Sequence, residues 1–289
     1  MKSYFPIHGG NKMKAPSIVR SRGTFVIRMP RATVIVSSQV NKAAQGSTPA
    51  MMIIGLIGGM SWESTSVYYR RLNEQVRARL GGLHSADVLL RSVDFQAIVE
   101  LQTRGDWHRA GEVLSGIARE LERAGAACLL ICTNTMHRLA DTVQSAVSIP
   151  LLHIADVTAE AVTAAKVKRP LLLATRYTME QDFYLERLRR LYGLEPIVPG
   201  AEDRADVHDI IFKELCCGIV RDDSRRRYLD VVARGRTRGA DGVILGCTEI
   251  GLLIGPRDID LPVFDSTLLH ADAALDFAMA RETPFSQAM

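Results

Sequence analysis

From residue 52 onward, short apolar runs alternate with longer stretches whose apolar positions recur every three or four residues. The runs at 53–57, 88–93, 128–132, 151–154, 171–174, 196–198, 243–245 and 262–264 have the length of strands. The amphipathic stretches at 61–80, 94–104, 107–124, 136–147, 156–166, 179–192, 204–217, 224–238 and 267–280 have the period of helices. Strands that alternate with helices along a chain build parallel sheets covered by those helices, so the pattern predicts an α/β fold.

Two of the predicted strands open and close alike. Gly125-Ala126 leads through an apolar run to Cys132-Thr133-Asn134-Thr135, and Gly239-Ala240 leads through another to Gly246-Cys247-Thr248-Glu249. Superimposing the Gly-Ala pairs carries Thr133 onto Cys247. The likeness continues downstream, where Pro150 followed by 151–154 resembles Pro262 followed by 263–264, each leading to an acidic residue and a helix. Repetition of this kind predicts two parallel-sheet α/β lobes related by a pseudo-twofold, with the site in the cleft between them, because ligands of open α/β sheets bind beyond the C-terminal strand ends. The expected division is an extension over 1–51, a first lobe of 52–149 plus 262–289, and a second lobe of 150–261.

Charge sharpens this picture. Residues 1–50 hold eight Lys and Arg and no acid, which leaves 28 basic against 32 acidic residues in the remainder. A body with net charge −4 lacks the cationic surface that phosphate backbones require, so nucleic acid is not an expected partner. The basic segment reads as a transit-like stretch, a disordered tail, or sequence upstream of the true start at Met51-Met52. No apolar run approaches the ~20 residues of a membrane span, and no membrane partner is expected. Five cysteines in no paired C-x-x-C spacing point to free thiols in a reducing cytoplasm rather than to zinc or disulfides.

Cys247 is the strongest candidate for chemistry. It stands where a strand ends among small and polar neighbours, whereas a structural cysteine would keep apolar company. A helix N-terminus there would favour the thiolate, and lowering its pKa by about 1.5 units takes only ~2 kcal/mol. Thr133 on its own reads as a helix N-cap, and its alignment with Cys247 promotes it. Cys132 is the alternative; side chains alternate at a strand end, so only one of the two faces the cleft. Asn134, Thr135, Thr248 and the amides of both turns form a cradle for a carboxylate, and Gly58-Gly59-Met60-Ser61 supplies a third turn on the same rim. His137 and His153 read as hydrogen-bonded structural residues. No dinucleotide fingerprint, P-loop, H-E-x-x-H or G-x-S-x-G occurs.

Cys132-Thr133-Asn134-Thr135-Met136-His137 and Gly246-Cys247-Thr248-Glu249 resemble the two signatures of the aspartate/glutamate racemase superfamily. With Gly58-Gly59-Met60-Ser61-Trp62-Glu63-Ser64-Thr65 and Thr175-Arg176-Tyr177-Thr178-Met179-Glu180-Gln181-Asp182, the likeness covers about residues 52–280 and is closest to the L-aspartate/glutamate-specific or broad-spectrum subgroup. The resemblance implies a homodimeric amino-acid racemase that uses neither pyridoxal phosphate nor metal. One group takes the α-proton while its opposite number delivers one to the other face. Most members use two cysteines, and Thr133 stands here where the first would be. It also implies that Cys247 serves the L-isomer, that Thr133 is the proton donor, and that Met60, Gln102, Asn134, Thr135, Thr248 and Glu249 line the substrate pocket. An alkoxide is too basic to accumulate, so Thr133 needs its proton replaced by water, His137, Glu249 or the substrate ammonium. Two other readings remain open: isomerisation or decarboxylation of a small dicarboxylic acid, and amino-acid binding without catalysis.

Overall fold

The computed structural model describes residues 51–280 together with three strands nearer the N-terminus. Those strands, β1 (Ser17–Ser21), β2 (Thr24–Met29) and β3 (Ala32–Ser37), form an antiparallel meander. The rest of the expected 1–51 extension lies outside the described residues, apart from Met51.

Two parallel sheets follow. In the first, β4 (Ile54–Gly58) lies between β5 (Val88–Ser92) and β6 (Cys128–Ile131). In the second, β8 (Gly242–Leu245) lies between β7 (Pro170–Leu173) and β9 (Val263–Asp265). A single parallel bridge extends each: Leu151 joins β6 at Leu129, and Ile197 joins β7 at Leu171. With the bridges counted, the spatial orders are β5-β4-β6-Leu151 and Ile197-β7-β8-β9. In chain order both read second, first, third, fourth, and β6 occupies in one sheet the place of β8 in the other. Leu151 and Val263, each one residue after a proline, take the outer place.

Strand pairing departs from the expected boundaries at 150 and 262. Leu151 belongs to the apolar core of the first sheet, and Phe264 to that of the second. Each run therefore closes the sheet that precedes it. The helices that follow cross over: α5 (Ile154–Ala164) packs on α7 (Asp182–Tyr192), while α10 (Ser266–Met279) packs on α1 (Trp62–Leu80) and on α5. Pro150 and Pro262 cannot donate to a ladder, which helps to keep both runs short. His153 then starts α5 by accepting the Ala155 N–H, and Asp265 starts α10 by accepting those of Thr267 and Leu268. The equivalent caps are thus His153 and Asp265; Asp156 lies within α5, where it meets Arg187 of α7 through two hydrogen bonds of 2.5 and 2.6 Å.

The remaining helices are α2 (Phe95–Arg104), α3 (Trp107–Arg123), α4 (Ala140–Ser145), α6 (Arg176–Glu180), α8 (Ala201–Lys213) and α9 (Asp222–Thr237). On α1, the buried residues Ser64, Thr65, Tyr68, Leu72 and Val76 make one face, and Ser61 caps it by accepting the Ser64 N–H. Gly59 makes the turn before α1 possible. Its φ is +88°, and a Cβ would lie 2.3 Å from the Val93 carbonyl oxygen.

Candidate active site

Strand ends from both sheets carry the candidate residues. After β8 the chain passes Gly246, whose N–H donates to the Leu173 carbonyl (2.7 Å) and whose Cβ, were there one, would meet Leu172 at 2.7 Å. Cys247, Thr248 and Glu249 follow, all buried, and only a 3-10 turn at Ile250–Leu252 comes next. No α-helix begins here, so the dipole expected to favour a thiolate is missing. The Cys247 thiol instead donates to Glu249 Oε2 at 3.0 Å. Burial, followed by the Glu249 charge and the nearby Cys216, pushes this thiol well above its ordinary range. The expected lowering of its pKa is therefore reversed.

Glu249 is the hub of the site. Oε1 accepts from the hydroxyls of Ser61 and Ser64, both at 2.7 Å, and from the Cys216 thiol at 3.5 Å. Oε2 accepts from Thr248 Oγ1 at 2.6 Å as well as from Cys247. Ser64 and Thr248 also touch through their hydroxyls. The donors come from the N-terminus of α1, the turn after α8 and the end of β8. All five are neutral, and no Lys or Arg pairs with this carboxylate among the described residues. A carboxylate only 2% exposed is thus held by neutral donors alone.

After β6, Cys132 is fully buried and burial pushes its thiol up, whereas Thr133 is half-buried. Of the two, Thr133 alone has access to solvent. Its N–H donates to the Ile131 carbonyl (2.8 Å), and its hydroxyl has no hydrogen-bond partner among the described residues. Asn134 Nδ2 donates to Ser266 Oγ (3.0 Å), and that hydroxyl donates to the Leu245 carbonyl (2.8 Å). One hydroxyl thus joins the ends of β6 and β8. Because Ser266 spends its single hydrogen on Leu245, it must accept from Asn134, which fixes the amide's orientation. Asn134 Oδ1 is left buried without a partner.

Thr135 Oγ1 meets Thr175 and Thr178 at 3.0 and 3.4 Å, tying the turn after β6 to that after β7. Gln102, near the end of α2, contacts the Met136 thioether at 3.0 Å, and Met60 is buried in the first core. Neither of these two makes a polar contact with Cys247 or Glu249. The amides of Asn134, Thr135 and Thr248 donate to no carbonyl or side-chain oxygen among the described residues.

His137 and His153 are structural, as their surroundings suggested. Both rings are buried and uncharged, with His137 pushed down to about 3 and His153 well below its ordinary range, desolvation being the leading cause for each. The role considered for His137 as a proton source to Thr133 fails here, because its nitrogens are committed to the Thr133 carbonyl and the Ile154 N–H. Ser61, Ser64, Cys216 and Ser266 enter as contacts that sequence reasoning did not single out individually. The linear signals were the Gly58–Ser61 turn on the rim and the Gly58–Thr65 stretch that carries part of the resemblance.

Two parallel α/β sheets of the same strand order carry the candidate residues after equivalent strands, Thr133 beyond β6 and Cys247 with Glu249 beyond β8. The family model for Asp/Glu/hydantoin racemases matches residues 57–274, and the chain belongs to this family. A Yersinia pestis structure provisionally described as an Asp/Glu racemase is 51% identical, with a TM-score of 0.74 over 79% of this chain and 100% of that one. An aspartate racemase homologue from Pyrococcus horikoshii OT3 is 34% identical, with a TM-score of 0.70 over 79% and 99%. RacX of Bacillus subtilis (strain 168), a broad specificity amino-acid racemase, is 20% identical over 238 residues, 80% of this chain and 100% of its own.

Proposed function

We propose that the protein racemises an amino acid, L-aspartate or L-glutamate foremost, by two-base proton transfer without pyridoxal phosphate or metal. The observation that carries this reading is the Cys247–Glu249 pair at the end of β8, joined through Ser266 and Asn134 to the turn that bears Thr133. The unpartnered Asn134 Oδ1 and the Glu249 carboxylate suit a substrate ammonium. The unpaired amides of Asn134, Thr135 and Thr248 suit its α-carboxylate.

An ammonium beside Glu249 would offset the charge that, after burial, contributes most to holding the Cys247 thiol up. Substrate binding would then bring the thiol down and ready it as a base. The thiolate takes the α-proton of the L-isomer, forming an S–H bond while the C–H electrons remain on Cα. Thr133 breaks its O–H bond and forms the new C–H bond on the opposite face. Water restores the hydroxyl, and the thiol returns its proton to solvent. An amino group is what separates this substrate from a plain dicarboxylic acid, which the Glu249 carboxylate disfavours. The free thiols suit a reducing cytoplasm, and the homodimer implied by resemblance is tested by light scattering.

Deuterium incorporation at Cα of L-aspartate and L-glutamate in D₂O, with no added cofactor, is the test. Exchange is expected in the wild type and lost in Cys247→Ala. Full exchange in that variant would overturn the assignment.

A further inference from the structure

We propose that His137 is a positioning residue for the proton donor, an imidazole strut that holds the Thr133 turn in the orientation from which its hydroxyl delivers. The inference rests on the two-base reading given above. Its footing is the way both ring nitrogens are spent. Nε2 accepts the Ile154 N–H at 3.2 Å, and an amide can only donate, so this nitrogen carries no hydrogen. Nδ1 therefore holds the hydrogen and donates it to the Thr133 carbonyl at 2.8 Å.

The strut runs from the turn after β6 to the first residue of α5, a helix buried along most of its length. Among the described residues Thr133 has two internal anchors, its N–H on Ile131 and its carbonyl on His137. Its hydroxyl has none, so the backbone alone decides where that hydroxyl points. Loss of the imidazole would leave the Thr133 carbonyl without a donor among the described residues and free the turn to relax.

The groups facing His137 offer no charge of their own to replace it. His153 and His270 lie with ring centroids at 4.7 and 5.5 Å, and both are buried and uncharged. His153 accepts the Ala155 N–H; His270 donates to the Leu152 carbonyl and accepts from the Tyr68 hydroxyl. Arg187 is bound to Asp156 and further disfavours an imidazolium at His137. His137 and His270 thus commit both ring nitrogens to the scaffold, and His153 commits its Nδ1.

Partition between exchange and racemisation separates positioning from simple loss of structure. In D₂O, Cys247 can remove the α-proton of L-aspartate and return deuterium to the same face, a cycle that does not involve Thr133. Misplacing the Thr133 hydroxyl should therefore slow formation of the D-isomer more than washout from the L-isomer. In His137→Leu the ratio of washout to D-isomer formation is expected to rise about fivefold, the effect of one net hydrogen bond. His137→Asn, whose amide N–H stands where Nδ1–H stood, should bring the ratio back toward that of the wild type. Equal losses in both rates for the Leu variant, or an Asn variant no better than it, would overturn the proposal. Should the Leu variant not fold, ¹⁵N-imidazole spectra of the wild type decide. A neutral Nδ1–H tautomer unchanged from pH 7.5 to 5 is expected, and an Nε2–H tautomer or a titrating ring would refute the strut. Absence of washout in the wild type, or its persistence in Cys247→Ala, would instead count against the two-base reading itself.

Discussion

Lowering the pH from 7.5 to 5 should strip several kcal/mol from the stability of this protein, and the buried histidines set the amount. Burial holds His137 at about 3 and His270 at about 4, so both remain neutral in the folded chain across this range. An unfolded chain protonates each near pH 6.5. Below that value the unfolded state binds the additional protons, and stability falls by ~1.4 kcal/mol per pH unit for each residue. The contribution is complete above 6.5 and is lost as the pH drops toward the folded values. At pH 5 each of these two forfeits ~2 kcal/mol, so the pair costs ~4, and His153, pushed well below its ordinary range by burial, adds in the same direction. That is comparable with the 5–15 kcal/mol typical of a whole domain. Half-buried His208 adds in the same sense, while Asp265, raised by burial, opposes it at the acid end. Urea unfolding followed by circular dichroism at fixed protein concentration measures the effect. A stability that changes by less than the worth of one histidine between pH 6.5 and 5 would refute the reasoning.

Three further outcomes follow from contacts already described. Arg187→Ala should destabilise by about 3–5 kcal/mol, since it strands Asp156 as a buried unpaired carboxylate, and Asp156→Leu combined with Arg187→Met should recover most of that loss in thermal unfolding. Ser61→Ala removes one of the neutral donors to Glu249 and should cost about 1.5–3 kcal/mol, read as a lower urea midpoint together with slower racemisation. The washout rate of the wild type should climb with pH as the Cys247 thiol ionises. In Glu249→Gln, where the neighbouring negative charge is gone, that rise should move to lower pH, and an unmoved profile would show that the carboxylate does not govern the thiol.

Much of this architecture was legible along the chain because buried parallel strands are short apolar runs and their helices are periodic. The β6 and β8 repeats stand in equivalent places of two sheets with the same order, as superimposing Gly125-Ala126 on Gly239-Ala240 indicated. The runs at 151–154 and 196–198 looked like strands from composition yet contribute one bridge each, since flanking prolines and the His153 cap end the pairing at once. The single helix expected over 136–147 begins instead as a 3-10 turn at Thr135–Leu139 before α4, and that expected over 179–192 is divided at Gln181, whose backbone is extended. The chemistry was legible where it sits in adjacent residues, as at Cys247-Thr248-Glu249. It was hidden where it depends on approach across the fold. Ser61 and Ser64 reach Glu249 over 188 and 185 positions, and nothing in a linear pattern marks Cys216 as their companion. The expected thiolate-favouring helix failed for a related reason: a strand end followed by polar residues does not reveal whether a full helix or one tight turn comes next.

The Ser266 hydroxyl between Asn134 and Leu245 also bears on how the two halves can move. Ser266 is fully buried, giving its hydrogen to the end of β8 and taking one from the turn beyond β6. Drawing those two strand ends apart would strand a hydroxyl and an amide in a dry interior, which sets a cost of about one hydrogen bond for each against parting there.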